Sequence, residues 1–390
     1  MNKSALRLSL AVLALLANAA LCSAQIRFHA TLIPQLTSGG TARQSESVAM
    51  SENGLLVVSY YAAPGTSDTG DSFVLDIANG TMRELGQGGK SSGPGDINSR
   101  GFVEGFSGPI PPTGIETDLQ RILWSPDDYS APHPIGAPYH PAAGPDVSDL
   151  SNNYELYTQG NTSTCLDLLT GQPVFIPSGF IAQKVNDQGD LAGFYAGGYA
   201  IYRRADDTVT MVPTPPGTVS FLTDSDSLIG INAAWDLPTS TTHYSGYTIK
   251  DGSITEFYAP ADGLLSLNGI TSDASTIVGF YSATNHAPVT PALFQNGQEA
   301  DIANLIDGLP TGFRLFSVTG ISDSLTVAAD LLDPQGHFVG AYLTPEGTYD
   351  PAHIFAAQAP VAGVAADGAR MYIVLIVPAF LFGIPKWRRA

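Results

Sequence analysis

The sequence predicts an all-β chain closed into a ring of short four-stranded sheets, a β-propeller. Three observations predict it. A corner motif recurs seven times, a strand–turn–strand pair follows each copy, and the spacing is uneven around ~45 residues, the length of one four-stranded blade. The chain has 41 Gly and 28 Pro but only 14% charged residues. Its apolar residues fall in short Tyr-, Phe-, Val- and Ile-rich runs, with no sustained helical period in the body. Seven blades are favoured, with six or eight left open because the copy from Leu150 is degenerate.

The corner motif is an apolar residue, then Asn, Thr or Ser, two or three turn residues, and a short apolar run often ending in Gly. Its clearest copies are "INSRGFVEGF" from Ile97, "VNDQGDLAGF" from Val185 and "LTDSDSLIGI" from Leu222; "ITSDASTIVGF" from Ile270 carries one extra residue. Weaker copies begin at Met50, Leu150 and Ile321. Asn, Asp and Gly tolerate the left-handed backbone of a tight corner, and the apolar run is the strand it releases. The second pattern runs from "SFVLDIANGTMREL" at Ser72 to "FVGAYLTPEGTY" at Phe338, with Asn79-Gly80, Asp251-Gly252 and Asn296-Gly297 as two-residue hairpin signals. Ring closure is expected to need strands from both ends of the body, with "IRFHATLI" from Ile26 as the lock.

The two ends lie outside this pattern, which divides the chain into residues 1–24, 25–350, 351–369 and 370–390. Lys3 and Arg7, the apolar run Leu8 to Leu16 and the small residues before Gln25 describe a secretory signal peptide cleaved after Ala24; a lipid anchor on Cys22 is disfavoured by the large Leu21. After a spacer over 351–369 comes the apolar run Met371-Tyr372-Ile373-Val374-Leu375-Ile376-Val377-Pro378-Ala379-Phe380-Leu381-Phe382-Gly383-Ile384. Lys386, Arg388 and Arg389 follow it. The run is shorter than the ~20 residues of a comfortable span, but the basic end fits a membrane or sorting segment with its terminus in the cytoplasm. The body is therefore expected outside the cytoplasmic membrane, anchored or surface-exposed.

Of the 17 Lys and Arg, six lie outside residues 25–369, leaving 11 against 36 Asp and Glu, a net charge of −25. Such a body excludes nucleic acid as a partner, because phosphate binding needs a basic face. Cleavage leaves Cys165 alone, so stability must come from a hydrophobic core rather than from disulfides.

"LGQGGKSSGPGDINSRGFVEGF", Leu85 to Phe106, resembles the HAF-type extracellular repeat, and "LTSGGTARQSESVAMSENGLLVV" from Leu36 resembles it again. The His-Ala-Phe triplet is absent, with Asp71-Ser72-Phe73 and Pro291-Ala292-Leu293-Phe294 in its place. The C-terminal tail resembles PEP-CTERM sorting signals without the Pro-Glu-Pro signature. The resemblance implies export and a propeller and carries no activity.

The same stretch contains Gly-Lys-Ser and, over Gly89 to Gly93, a match to G-x-S-x-G. A phosphate loop needs a Gly where Glu84 stands, and both motifs need a following helix where the pattern predicts a strand. It reads as a joint between blades. The histidines, His29, His133, His140, His243, His286, His337 and His353, show no metal-ligand spacing. Asp224-Ser225-Asp226 offers alternating oxygens that suit calcium, but no complete cation loop is present; Asp224 and Asp226 are the weak metal candidates. The proline-rich "APHPIGAPYHPAAGPD" from Ala131 reads as a surface connection. The aromatics Trp124, Tyr60, Tyr61, Tyr195 and Tyr281 read as packing, with Trp235 exposed on an insert. No catalytic residue and no cofactor is assigned. The expected function is binding or surface structure outside the cell, with an unknown protein or carbohydrate as ligand, against the alternative of a hydrolase or lyase acting on carbohydrate or lactone at a central channel.

Overall fold

The computed structural model describes residues 26–38, 41–61, 70–86, 91–108, 119–139, 146–215, 217–236, 241–258, 265–282, 289–347 and 354. Residues 27–346 form one compact unit; 1–26 and 347–390 are grouped as a second. The first unit is a seven-bladed β-propeller. Blades 1 to 6 are four-stranded antiparallel sheets over residues 44–85, 91–139, 146–174, 181–212, 217–258 and 265–301. Blade 7 is built from 314–346 with the N-terminal strand Arg27–Leu32 as its fourth strand and the short Ile306–Asp307 as a fifth. Among the described residues the only helix is one 3-10 turn, Ile302–Leu305, capped by the Asp301 side chain.

All seven corners of the repeat are found, and their chemistry explains the motif. The side chain of the first corner residue accepts the N–H of the residue at, or immediately before, the start of the next strand. Ser51 accepts from Leu55 at 2.9 Å, Asn98 from Phe102 at 2.9 Å, Asn186 from Asp190 at 2.9 Å and Ser322 from Thr326 at 3.2 Å. Thr223 and Thr271 do the same for Ser227 and Thr276. This is why the position takes only Asn, Ser or Thr. Three corners then turn through a left-handed Gly, at Gly54, Gly101 and Gly189, while Asp226, Ala274 and Leu325 hold positive φ of 56°, 58° and 60°. The corner from Ser151 is one residue shorter, which accounts for its degenerate copy.

The glycine that ends the apolar run is set by packing within the blade. A Cβ at Gly105, Gly193, Gly230 or Gly279 would overlap the carbonyl oxygen of Gly93, Ile181, Thr218 or Ser266 respectively, well inside the 3.0 Å that side chains tolerate. Each of those carbonyls lies on the blade's innermost strand, just before a bulge. The same bulge occurs in blades 1 and 7, so six of the seven inner strands bend at one level, and blade 3 pairs without a register shift.

The core lies between blades. Ile97, Trp124 and Tyr129 pack with Val57 and Leu85 between blades 1 and 2, Leu156 and Cys165 with Phe180 and Leu191 between blades 3 and 4, and Ile229 with Leu267 and Phe294 between blades 5 and 6. Trp124 donates its ring N–H to the Gly86 carbonyl at 3.0 Å. At the closing seam the buried Asp330 of blade 7 accepts the N–H and hydroxyl of Ser47 in blade 1 at 2.7 and 2.8 Å and the Ser317 hydroxyl at 2.7 Å.

Two expectations need correction. Residues 131–139 are not a loop: Asp128–Tyr139 is the outermost strand of blade 2, anchored by buried Tyr129 and Ile135. An edge strand tolerates proline because its outer N–H groups have no ladder partner to lose. The Asn79-Gly80 turn is longer than two residues. It spans 77–80, with Asp76 accepting from the Asn79 N–H, and only Gly80 has positive φ. Asp251-Gly252 and Asn296-Gly297 do have both φ positive, as type I′ turns require.

Candidate functional site

The inner strands surround a cavity of about 260 Å³ that opens at the corner face. The corners themselves are tied into a belt. The second corner residue of one blade donates its N–H to the second residue of the next: Ser99 to Asn152 Oδ1 at 2.7 Å, Asn152 to Asp187 Oδ1 at 2.6 Å, Asp187 to Asp224 Oδ1 at 3.0 Å and Ser272 to Asp323 Oδ1 at 2.8 Å. Asp323 N–H reaches the Glu52 carbonyl at 2.7 Å, and Asn53 Nδ2 reaches the Ser99 carbonyl at 2.7 Å. Six of the seven seams are thus stitched by turn residues. Glu52 Oε2 also accepts from Asn152 Nδ2 at 2.9 Å, bridging blade 1 to blade 3 across the mouth. Burial first, then the charges of Asp187 and Asp323, raise the Glu52 carboxyl against the Asn152 bond that favours its ionised form; burial likewise raises Asp224.

Deeper in the cavity the wall is asymmetric. Two residues before each corner, the inner strand carries Ala49, Asp96, Asp149, Lys184, Phe221, Gly269 and Gly320 in blade order. Three adjacent blades thus carry charge at this position and three others a small residue; Asp96, Asp149, Lys184, Phe221 and Gly269 line the cavity, while Ala49 packs in the core between blades 1 and 2. The glycines let backbones meet: a Cβ on Gly269 would lie 2.8 Å from Gly320 Cα, and one on Gly320 would lie 2.9 Å from the Met50 nitrogen. Lys184 Nζ donates to Asp149 Oδ1 at 2.8 Å, and Asp149 Oδ2 accepts the Val185 N–H at 2.7 Å. Burial pushes the Lys184 ammonium down, but Asp149, joined by Asp96 and Glu104, outweighs it and the net shift is upward.

Asp96 borders the cavity half-buried. Burial, reinforced by the charge of Glu104, pushes its carboxyl up to about 7 against the Ile97 N–H bond that favours ionisation. Glu104 faces Asp96 across the strand pair, and its Oε1 accepts the Ser148 hydroxyl at 3.0 Å. Glu155, 1% exposed, lies on the same seam between blades 2 and 3 near Glu104 and Arg121, and burial raises it well above the usual carboxylate range. Glu104 is raised by burial too, with Arg121 opposing at 3.9 Å.

The sequence-level metal candidates sit in one corner but are spent separately. Asp224 accepts from Asp187, and Asp226 pairs with Arg203 Nε at 2.5 Å. Among the described residues, no group of three or more His, Cys, Asp or Glu side chains is placed to hold a metal ion. His29 and His337 lie by Glu346 and Asp333, and neither they nor His133 line the cavity. His140, His286, His353 and the side chains of His243 and Trp235 lie outside the described residues. So do Met371 to Ile384, Lys386, Arg388 and Arg389; among the described residues no helix is long and apolar enough to cross a membrane. Sequence reading did not single out Asp96, Glu104, Asp149, Glu155 or Lys184. The available signal was the residue two places before each corner, visible only when the seven copies are set in register.

Fold and site define a seven-bladed propeller with a polar axial cavity whose mouth is acidic. No family model matches the chain, and no curated protein matches it. Among solved structures it is similar to the β-propeller domain of the Trilobed protease from Pyrococcus furiosus, at 10% identity over 79% of this chain and 86% of that one, TM-score 0.39. It is similar also to an oligogalacturonate lyase in complex with manganese, at 10% identity over 83% and 98%, TM-score 0.45. A third is Hsv2 of Kluyvelomyces marxianus, at 11% identity over 76% and 90%, TM-score 0.41. These likenesses concern the fold alone.

Proposed function

We propose that the chain is an exported, non-enzymatic repeat propeller of the HAF type, held at or released from the cell envelope, that binds a partner through its axial cavity. One observation carries the binding reading. The acidic groups at the mouth serve as acceptors for neighbouring corners, and the Lys184 ammonium is already paired with Asp149. Side chains so engaged present a fixed polar surface rather than a free nucleophile and base. The signal-like residues 1–24 and the apolar, basic-ended tail support export and anchoring.

One observation favours a second reading, a hydrolase or lyase acting on carbohydrate or lactone. Asp96, with its carboxyl near neutrality beside the Asp149–Lys184 pair, is suited to general acid–base work. Prolonged incubation of the purified body with neutral, acidic and amino oligosaccharides, followed by mass spectrometry, separates the two. Unchanged chain lengths are expected; a shortened or unsaturated product would establish the enzyme. The full-length protein should fractionate with membranes, and a form ending at Ala369 should be soluble with the same melting temperature.

A further inference from the structure

Resting on the binding reading, we propose that the cavity takes a sugar ring bearing an ammonium group, as in an oligomer of glucosamine. The cavity, about 260 Å³, is of the size that holds one hexose unit and is open at the corner face for the rest of a chain. Its walls differ in chemistry. Phe221, on blade 5, stands three blades from Asp96 on blade 2, the widest separation in a ring of seven, and both line the cavity. Phe221 packs on one side against the core between blades 5 and 6; an apolar ring face meets its cavity side while hydroxyls on the ring's edge reach the carboxyls and amides opposite.

The charge selects among sugars. Glu52, Asp187 and Asp224 line the cavity, and its one Lys is neutralised by Asp149. Glu104, 5% exposed, inserts its carboxyl between the inner strands, with Oε1 beside Gly95 and the Ser148 hydroxyl. Its Oε2 has no hydrogen-bond partner among the described residues. A buried carboxyl oxygen left without a donor is costly; Glu104 stands behind the cavity wall, facing Asp96 of the lining across the strand pair. Uronic acids would meet these carboxylates with like charge and are disfavoured. A lysine side chain shares the ammonium but is too slender to engage Phe221 and the carboxyls across the cavity together.

Calorimetric titration of the full body tests this with four probes: a glucosamine tetramer, its fully N-acetylated counterpart, oligogalacturonate and pentalysine. The glucosamine tetramer should bind, and weaken about tenfold as salt rises and screens the mouth. The other three should bind at least about tenfold more weakly, one factor of ten being about 1.4 kcal/mol. Phe221→Ala should weaken the tetramer by a similar factor. The variant E52Q/D187N/D224N keeps a carbonyl oxygen at each corner to accept the belt N–H groups, so it should melt as a folded ring while losing the preference for the amine. Equal affinity for the N-acetylated form overturns the charge assignment. Tighter binding of pentalysine transfers the site to a basic protein and overturns the sugar. Absence of binding by all four overturns the proposal while leaving the binding reading to be judged by its own test. Cleavage of the tetramer sinks the non-enzymatic reading but not the choice of ligand.

Discussion

Removing residues 27–32 should leave a protein that does not hold its seventh blade, with a melting temperature lowered by more than ten degrees or no cooperative transition at all. The strand Arg27–Leu32 pairs with Phe338–Glu346 in an unbroken antiparallel register from Arg27↔Glu346 to Leu32↔Ala341. On its other edge Phe28 and His29 pair with Ile306 and Asp307, and the Arg27 guanidinium holds the Asp307 carboxylate through Nε at 2.8 Å and through a second, shorter bond. Phe28 is fully buried. Truncating a core Phe costs about 3–5 kcal/mol, and the deletion adds the loss of a strand's ladder bonds at about 1 kcal/mol each. Against a typical total of about 5–15 kcal/mol, that is a large fraction. It also exposes a long strand edge, so aggregation should accompany the loss of stability. Phe28→Asp should reproduce most of the effect in a chain of full length. A deletion protein that melts like the parent would show that the ring closes without this strand.

The second large effect is a dependence on pH. Asp96 has an ordinary value of 3.8 and stands at about 7 in the folded protein. A folded value above the unfolded one means that the fold binds a proton which the unfolded chain has released. Its contribution is complete below about pH 4 and is lost as pH rises to about 7, after which the curve is flat. Each unit is worth about 1.4 kcal/mol, and because the carboxyl borders the cavity water the loss should be on the order of 2 kcal/mol rather than the full product. Glu104 and Glu155, both raised by burial, slope the same way. The groups that face them are Arg121, opposing at Glu104, and Lys184 with Asp149 across the next seam. Guanidinium denaturation at pH 5.5 and pH 8 should therefore give the lower midpoint at pH 8. Asp96→Asn, which keeps shape and removes the titration, should shrink the difference and be the more stable form at pH 8. Equal differences in the two proteins would show that Asp96 does not titrate in this range.

What could be read from the sequence was what local chemistry dictates. Asn98 and Asn186 are legible because a corner that must satisfy the next strand's N–H admits few side chains, and Gly193 or Gly279 because only hydrogen fits against the neighbouring carbonyl. The closing strand was legible because a ring must draw strands from both ends of the body to close, and Arg27–Leu32 does pair with Phe338–Glu346. The outer strand of blade 2 was not, because Pro132, Pro134 and Pro138 weigh against a strand unless it is known to be an edge. The candidate site was the least legible part. Asp96, Asp149 and Lys184 lie in three different repeats, tens of residues apart, and meet only because each stands two places before its corner in a closed ring. Glu155 looks like an ordinary polar residue on a strand; its burial comes from blade 2 pressing on blade 3.

Hydrogen exchange in the presence of a glucosamine tetramer tests the central claim, a ligand site at the corner-face cavity, most directly. The expected result is slowed exchange in peptides covering residues 96–99, 149–152, 184–187 and 220–224, the lining contributed by blades 2 to 5, with the outer strands unchanged. Slowing confined to outer strands such as Thr208–Val212 and Ser253–Tyr258, with the cavity peptides exchanging as before, would contradict it.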